Sequence, residues 1–158
     1  MKTGSAFFLS GAMALAAVTF AGTANAADTA PNDVAFNEMQ VSESLTGMPG
    51  DPAAGADAFK NRKLGNCLAC HTTTAMESEL FHGNVGPDLD GAGSRWTEAQ
   101  LRAIVVDAKQ VFGPDSRMPG FYSLHVGKNV AEKFHGKTIL SAQDVENIVA
   151  FLVTLKDE

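Results

Sequence analysis

Two stretches of the chain carry apolar residues at the three- and four-residue spacing of an amphipathic helix. The apolar residues of the first stretch are Leu101, Ile104, Val105 and Ala108. The apolar residues of the second stretch are Val145, Ile148, Val149, Leu152 and Leu155, with Phe151 beside them. A capping-box pair precedes each stretch, Thr97 with Gln100 and Ser141 with Asp144. We therefore predict one helix starting at Thr97 and another starting at Ser141, whose apolar stripe is ordinary core packing.

An earlier helix is predicted from Asp51 and Pro52, an N-cap residue followed by a proline at the first helical position. The alanine-rich segment 53–63 continues it, with Phe59 as the one large apolar residue. Glycine-rich connections at 83–91 and 112–114 separate the helices, and no alternating strand pattern persists. The pattern predicts an all-α domain with long loops.

Residues 1–26 have the organisation of a signal peptide. Lys2 precedes an apolar stretch at 6–21, and Ala24-Asn25-Ala26 supplies a small-x-small cleavage site. A membrane anchor is the alternative, but the apolar stretch ends in small residues and has no basic stop-transfer flank, which favours cleavage. Since no later segment is long and apolar enough to span a bilayer, we expect the exported, mature chain in the periplasm.

Residues 27–50 lack helical or strand periodicity and are expected to form an extended, acidic arm ahead of a single domain at 51–158. A disordered tail and an arm that becomes ordered on a partner are equally compatible with this composition.

The charge balance limits the possible partners. The full chain has twelve Lys and Arg against eighteen Asp and Glu, a formal net charge of −6. Removing Lys2 with the signal leaves eleven against eighteen, a net charge of −7. This charge argues against binding to nucleic acid or an anionic membrane and is compatible with a basic protein partner.

The chemistry of the chain centres on Cys67-Leu68-Ala69-Cys70-His71. A C-x-x-C-H run in an exported protein is typical of covalent haem c attachment, in which both thiols form thioethers and the histidine binds the iron. A thioredoxin-like dithiol would lack the adjacent histidine and have a βαβ context. A structural zinc site would need four ligands, and no second Cys or His pair stands at metal spacing. Since both cysteines belong to this motif, no disulfide is expected.

The iron ligand opposite His71 is predicted to be Met118, in a proline-flanked loop after the Thr97 helix. Rival ligands are His82, His125 and His135, and an open position is also possible. Filling both axial positions would restrict the haem to electron transfer, whereas an open one would permit ligand binding. Around the site, the Pro87 carbonyl is expected to hold the second nitrogen of His71. Arg95 and Trp96 are candidates for contact with a haem propionate.

The order helix, C-x-x-C-H, Gly-Pro-x-Leu, helix, Met-Pro loop and C-terminal helix resembles class I cytochromes c over residues 51–156. This resemblance implies a class I cytochrome c-like fold around one haem c, with terminal helices crossing at Phe59 and Phe151. Residues 65–71 (GNCLACH), 83–89 (GNVGPDL), 118–122 (MPGFY) and 139–152 (ILSAQDVENIVAFL), with the long segment 121–140, are similar to the SoxX family.

The SoxX resemblance implies a function. SoxX is the monohaem subunit of SoxAX, an L-cysteine S-thiosulfotransferase that couples thiosulfate oxidatively to a carrier-protein cysteine. In that family SoxA holds the catalytic haem, and SoxX passes electrons to a downstream soluble cytochrome. The resemblance therefore implies a SoxA-like partner, haem attachment at Cys67 and Cys70, axial ligands His71 and Met118, and no catalytic residue on this chain. Phe121 and Tyr122 would lie at the subunit interface or in the core. The alternatives are a free-standing periplasmic electron shuttle and a haem-based sensor.

Overall fold

The computed structural model describes Met1 and residues 27–157. The signal peptide predicted at 1–26 therefore lies outside the described residues, apart from Met1. No helix within the described part is long and apolar enough to cross a membrane.

The described residues form four α-helices and four short 3₁₀ turns. The α-helices are α1 (Pro52–Lys60), α2 (Ala92–Arg95), α3 (Glu98–Phe112) and α4 (Ala142–Thr154). The 3₁₀ turns are Pro31–Asp33, Cys67–Ala69, Thr74–Met76 and Glu132–Phe134. Within this part of the chain the extended pairing is limited to an isolated bridge between Asn37 and Gln40. The all-α prediction is confirmed.

The three predicted helix starts are present. The Asp51 carboxylate accepts hydrogen bonds from the first backbone N–H groups of α1, and both predicted capping boxes form at α3 and α4. The predicted length of α1 is wrong, because the helix ends at Lys60 rather than continuing to Lys63. There Asn61 is extended, and its side-chain oxygen accepts from the Lys63 N–H at 2.9 Å, an alternative to the helical pairing.

Helices α1 and α4 pack directly on each other. A Cβ on Gly55 would overlap the Asn147 carbonyl of α4, so glycine allows the two backbones to approach closely. The rings of Phe59 and Phe151 meet edge to face with centroids 5.3 Å apart. The aromatic contact that the family resemblance implied is therefore present, and both rings lie in the core.

Helix α3 is kinked at Asp107, whose φ of −156° and ψ of 96° are not helical. The Asp107 carboxylate accepts from the Lys109 N–H at 3.1 Å, while the Val106 carbonyl accepts from the Tyr122 N–H at 3.0 Å. The kink thus makes a backbone connection between α3 and the segment that follows the Met118 loop.

The arm at 27–50 packs on its own chain, an outcome that neither alternative anticipated. Val41 and Leu45 are buried in the main core, although the arm is extended. The Tyr122 hydroxyl donates to the Thr29 carbonyl at 2.7 Å. Tyr122 and Phe121 are themselves buried, so of the two placements considered, the core is the one observed in this chain.

A buried ion pair fastens the arm to the helices. The Arg102 Nε of α3 lies 2.9 Å from Glu146 Oε1 of α4, and that oxygen also accepts from the Leu45 N–H at 2.8 Å. Burial disfavours the charged guanidinium, but the hydrogen bonds and attraction of Glu146 and Glu98 outweigh it and raise the pKa of Arg102 above its ordinary value. One carboxylate therefore joins α3, α4 and the arm.

Candidate haem-binding site

The C-x-x-C-H segment forms a tight turn, separated from the end of α1 by the six residues 61–66. Its 3₁₀ turn, Cys67–Ala69, is closed by hydrogen bonds from the Cys70 and His71 N–H groups to the Cys67 carbonyl, at 3.1 and 2.9 Å. Cys67 is half-buried and Cys70 is exposed. Burial raises the pKa of the Cys67 thiol to about 12, with a smaller contribution from Cys70.

The glycine-rich loop at 83–89 runs along this turn. The Gly83 N–H donates to the Leu68 carbonyl at 2.7 Å, and the Gly86 N–H donates to the Cys70 carbonyl at 2.8 Å. A Cβ on Gly83 would overlap the backbone of Ala69, so the two segments are closer than any side chain there would permit. The loop is consequently fixed against the cysteine motif by backbone contacts.

His71 is oriented by the same loop. Its Nδ1–H donates to the Pro87 carbonyl at 2.7 Å, which confirms the contact predicted for that proline. A Cβ on Gly86 would overlap the imidazole, so glycine is required where the loop passes the ring. The bond to Pro87 commits Nδ1, and Nε2 on the other edge of the ring is left to bind a metal.

Two aspartates that the sequence analysis did not single out anchor the chain just after His71. Asp88 accepts from the Thr72 hydroxyl at 2.5 Å, and Asp90 accepts from the Thr73 hydroxyl at 2.7 Å and the Thr74 N–H at 2.9 Å. The hydrogen bond from Thr73 is the main cause that holds the pKa of Asp90 below its ordinary value. The Asp-x-Asp spacing after Gly-Pro, typical of side-chain-to-backbone turns, was the available signal.

The Arg95 side chain contacts the backbone of the loop beside His71. Its guanidinium donates to the backbone carbonyls of Asp90 at 2.5 Å and Asp88 at 3.1 Å, so it holds the loop beside His71. Trp96 is half-buried and packs edge to face on Phe112 with centroids 6.0 Å apart. These contacts are structural, and a propionate contact remains a prediction for both residues.

The Met118 loop is held by a lysine from α3. Met118 is half-buried and packs against the main core. The Lys109 ammonium donates to the carbonyl of Met118 at 2.7 Å and to that of Val126 at 3.3 Å. Sequence reasoning missed Lys109, because its long aliphatic stem lets a charged group reach inward from a helix position that reads as solvent-facing.

Two of the rival histidines are hydrogen-bonded to backbone carbonyls near them in sequence, and the third is exposed. The ring of His82 donates to the Met76 carbonyl at 2.9 Å, and the ring of His135 donates to the Val130 carbonyl at 3.0 Å. His125 is exposed. Within the described residues no group of three or more His, Cys, Asp or Glu side chains could hold a metal ion, so the zinc alternative gains no support.

Comparisons with known proteins identify the family of this chain. The sequence model of the family described as "Cytochrome c" matches residues 52–156. The crystal structure of SoxXA from P. pantotrophus contains a chain that is 46% identical and superposes with a TM-score of 0.76, covering 83% of this chain and 100% of that chain. Ferric cytochrome c-550 from Paracoccus versutus is 21% identical, with a TM-score of 0.39 over 68% of this chain and 99% of that chain. The search of curated proteins gave no significant match. This chain belongs to the cytochrome c family, as a SoxX-like member with the all-α fold of class I cytochromes.

Proposed function

We propose that this protein is the electron-transfer subunit of a periplasmic SoxXA-type complex, which couples thiosulfate oxidatively to a cysteine of a carrier protein. The observation that carries this proposal is the 46% identity to a chain of the SoxXA structure over that chain's whole length. Membership of the cytochrome c family implies a covalently bound haem.

The residues around the C-x-x-C-H turn suit haem c. Cys67 and Cys70 would attach it as thioethers, and the Nε2 of His71 and the thioether of Met118 would ligate its iron. Two observations support the assignment of His71: the bond from its Nδ1 to Pro87 leaves Nε2 available, and Gly86 gives the imidazole room. When bound, the haem supplies one-electron exchange between ferric and ferrous iron.

The protein residues then tune and protect that exchange. The Pro87 carbonyl fixes the tautomer of His71 and makes its Nε2 a more basic ligand for a metal. A thioether ligand from Met118 would favour the ferrous state and would exclude oxygen and other small ligands. The Lys109 contact holds the methionine loop in place. Together these features favour electron transfer over ligand binding.

The overall coupling reaction determines how many electrons this subunit must transfer for each thiosulfate coupled. A sulfur–sulfur bond forms between thiosulfate and the carrier cysteine, the thiol loses its proton, and two electrons leave. The described chain holds one C-x-x-C-H motif, so it would accept these electrons one at a time and pass each to a downstream soluble cytochrome. We place the coupling itself on a SoxA-like partner subunit and assign no catalytic residue to this chain.

Copurification tests the proposal. The mature holoprotein, tagged and isolated from periplasmic extract, should bring down one SoxA-like cytochrome per chain. The isolated pair should reduce an acceptor cytochrome only when thiosulfate and the carrier protein are both present. A monomer that exchanges electrons freely with other cytochromes would instead identify a free-standing shuttle.

The attachment chemistry has its own test. Cys67→Ala should lose one thioether and most of the stably bound haem, which the intact protein mass and a haem stain of denatured protein would both register. A normal covalent holoprotein with Cys67→Ala would contradict the proposed attachment.

A further inference from the structure

The half-buried side chain of Lys109 joins the two ends of the segment that begins with Met118. Its ammonium donates to the Met118 carbonyl at 2.7 Å and to the Val126 carbonyl at 3.3 Å. The Gly120 N–H donates to the same Val126 carbonyl at 3.1 Å. The segment 118–126 is therefore a closed loop whose ends meet at one ammonium group.

The kink in α3 fixes the position of this ammonium. The Asp107 carboxylate accepts from the Lys109 N–H at 3.1 Å, and the same carboxylate lies against the loop, where a Cβ on Gly120 would come within 3.1 Å of its Oδ1. Beside the kink, the Val106 carbonyl accepts from the Tyr122 N–H at 3.0 Å. The backbone that carries Lys109 is thus itself joined to the loop that the ammonium holds.

The charge of Lys109 strengthens this connection. A hydrogen bond from an ammonium group is roughly twice as strong as one between neutral groups. The ion pairs among the described residues involve Lys60 and Arg102 as the cations, so no carboxylate holds the Lys109 ammonium away from the two carbonyls. The full strength of the charged donor is therefore available to the Met118 loop.

The position of Met118 matters most in the oxidised protein. A thioether is a soft ligand that favours ferrous iron, so the ferric state is the one in which a methionine leaves most readily. A ligand on an ordered loop stays at a high effective concentration and rebinds before a competitor replaces it. The Met118 carbonyl belongs to the ligand residue itself, so a hydrogen bond to it restrains the backbone that any departure of the thioether would move.

We propose that Lys109 is the positioning residue of Met118: its bridge between the Met118 and Val126 carbonyls keeps the thioether on the iron in the ferric as well as the ferrous protein. This inference rests on the proposed haem attachment and on Met118 as a ligand, and it adds the residue that retains that ligand in both oxidation states. Lys109 acts through the loop backbone, and electron exchange then requires no change of ligand.

The test compares variants of the covalent holoprotein by absorption spectroscopy and by the affinity of the ferric protein for imidazole. Lys109→Leu keeps an apolar stem and removes both hydrogen bonds. It should weaken the methionine-to-iron charge-transfer absorption of the ferric protein and lower the reduction potential, while the ferrous spectrum stays unchanged. The affinity for imidazole should rise at least roughly tenfold, the change that losing one hydrogen bond to a charged group produces in an equilibrium.

Two further variants separate positioning from general damage. Lys109→Arg keeps the charge and can donate to both carbonyls, so it should restore the ferric absorption and the low imidazole affinity. Lys156→Leu is the matched control, because the Lys156 ammonium also donates to a backbone carbonyl, that of Gly93 in α2. It should leave the spectrum, the potential and the imidazole affinity as they are in the wild type. If Lys109→Leu yields no holoprotein, Lys109→Gln, with an N–H donor on a shorter stem, is judged by the same measurements.

The outcomes separate this inference from the assignment beneath it. A wild-type ferric protein without the methionine absorption would refute Met118 as the ligand, and the role of Lys109 with it. If the wild type shows the absorption and Lys109→Leu keeps both the absorption and the imidazole affinity, Met118 remains the ligand and the positioning role is refuted. A lower potential with intact absorption would also refute it, since the lysine would then act through its charge alone.

Discussion

The buried pair between Arg102 and Glu146 provides the sharpest prediction about stability. Their side chains are 5% and 3% exposed, whereas the second partner of Arg102, Glu98, is 62% exposed at 2.6 Å. Glu146→Gln keeps the shape of the side chain and removes its charge. The variant leaves Arg102 buried with only the exposed Glu98 carboxylate to neutralise it.

The magnitude follows from burial. Removing one member of a buried pair typically costs about 3–5 kcal/mol, and the remaining Glu98 places this case near the lower end, about 3 kcal/mol. Glu98→Gln removes an exposed pair on the same guanidinium and should cost less than about 1 kcal/mol. Urea unfolding of the two holoprotein variants, followed by circular dichroism, measures both values.

A local readout separates this explanation from general damage. The Leu45 N–H donates to Glu146 Oε1. Glu146→Gln should therefore increase the rate of hydrogen exchange more at Leu45 and along the arm than in α1. If Glu146→Gln and Glu98→Gln cost the same, or the arm keeps its protection, the reasoning about the buried pair is refuted.

Three further predictions concern the haem site. Gly86→Ala should displace the His71 ring, shift the reduction potential and lower the unfolding midpoint. Gly127→Ala is the control, because an added Cβ there meets nothing within 4 Å, and it should have none of these effects. Equal effects of the two variants would contradict the close approach of Gly86 to His71. Met118→Ala should lower the potential and open the iron to small ligands, and an unchanged spectrum and potential would place the sixth ligand elsewhere. The pKa of Asp90 is lower in the folded state than its ordinary value of 3.8. The carboxylate therefore stabilises the fold at pH values above 3.8, and this contribution is lost as the pH falls through the folded-state pKa. Urea midpoints should therefore show Asp90→Asn less stable than wild type at pH 7, with a gap that closes in acid; a gap independent of pH would contradict the assignment.

The features that the sequence predicted correctly are local ones. A capping box such as Ser141 with Asp144 lies within one helical turn, so four residues specify it. The approach of Pro87 to His71 spans sixteen positions, yet it was predictable because metal-binding histidines generally use their second nitrogen in a hydrogen bond.

The features that sequence reasoning missed depend on long-range contacts. Arg102 and Glu146 are 44 residues apart, and hydropathy patterning treats each as a solvent-facing position on its helix. The arm has no periodicity because only isolated residues such as Val41 and Leu45 anchor it. No proline or glycine in the sequence indicates the kink at Asp107. The Val106 carbonyl beside the kink accepts a hydrogen bond from the Tyr122 N–H instead of a helical one.

The central claim is that this chain relays electrons from thiosulfate coupling, and rapid mixing tests it most directly. The oxidised complex of the holoprotein with its SoxA-like subunit is mixed with thiosulfate and the carrier protein, and haem absorption is followed in time, with an acceptor cytochrome added in parallel. We predict that the haem of this chain is reduced before the acceptor, and that the SoxA-like subunit alone reduces the acceptor far more slowly. Equal rates with and without this chain, or a haem that stays ferric throughout, would contradict the account.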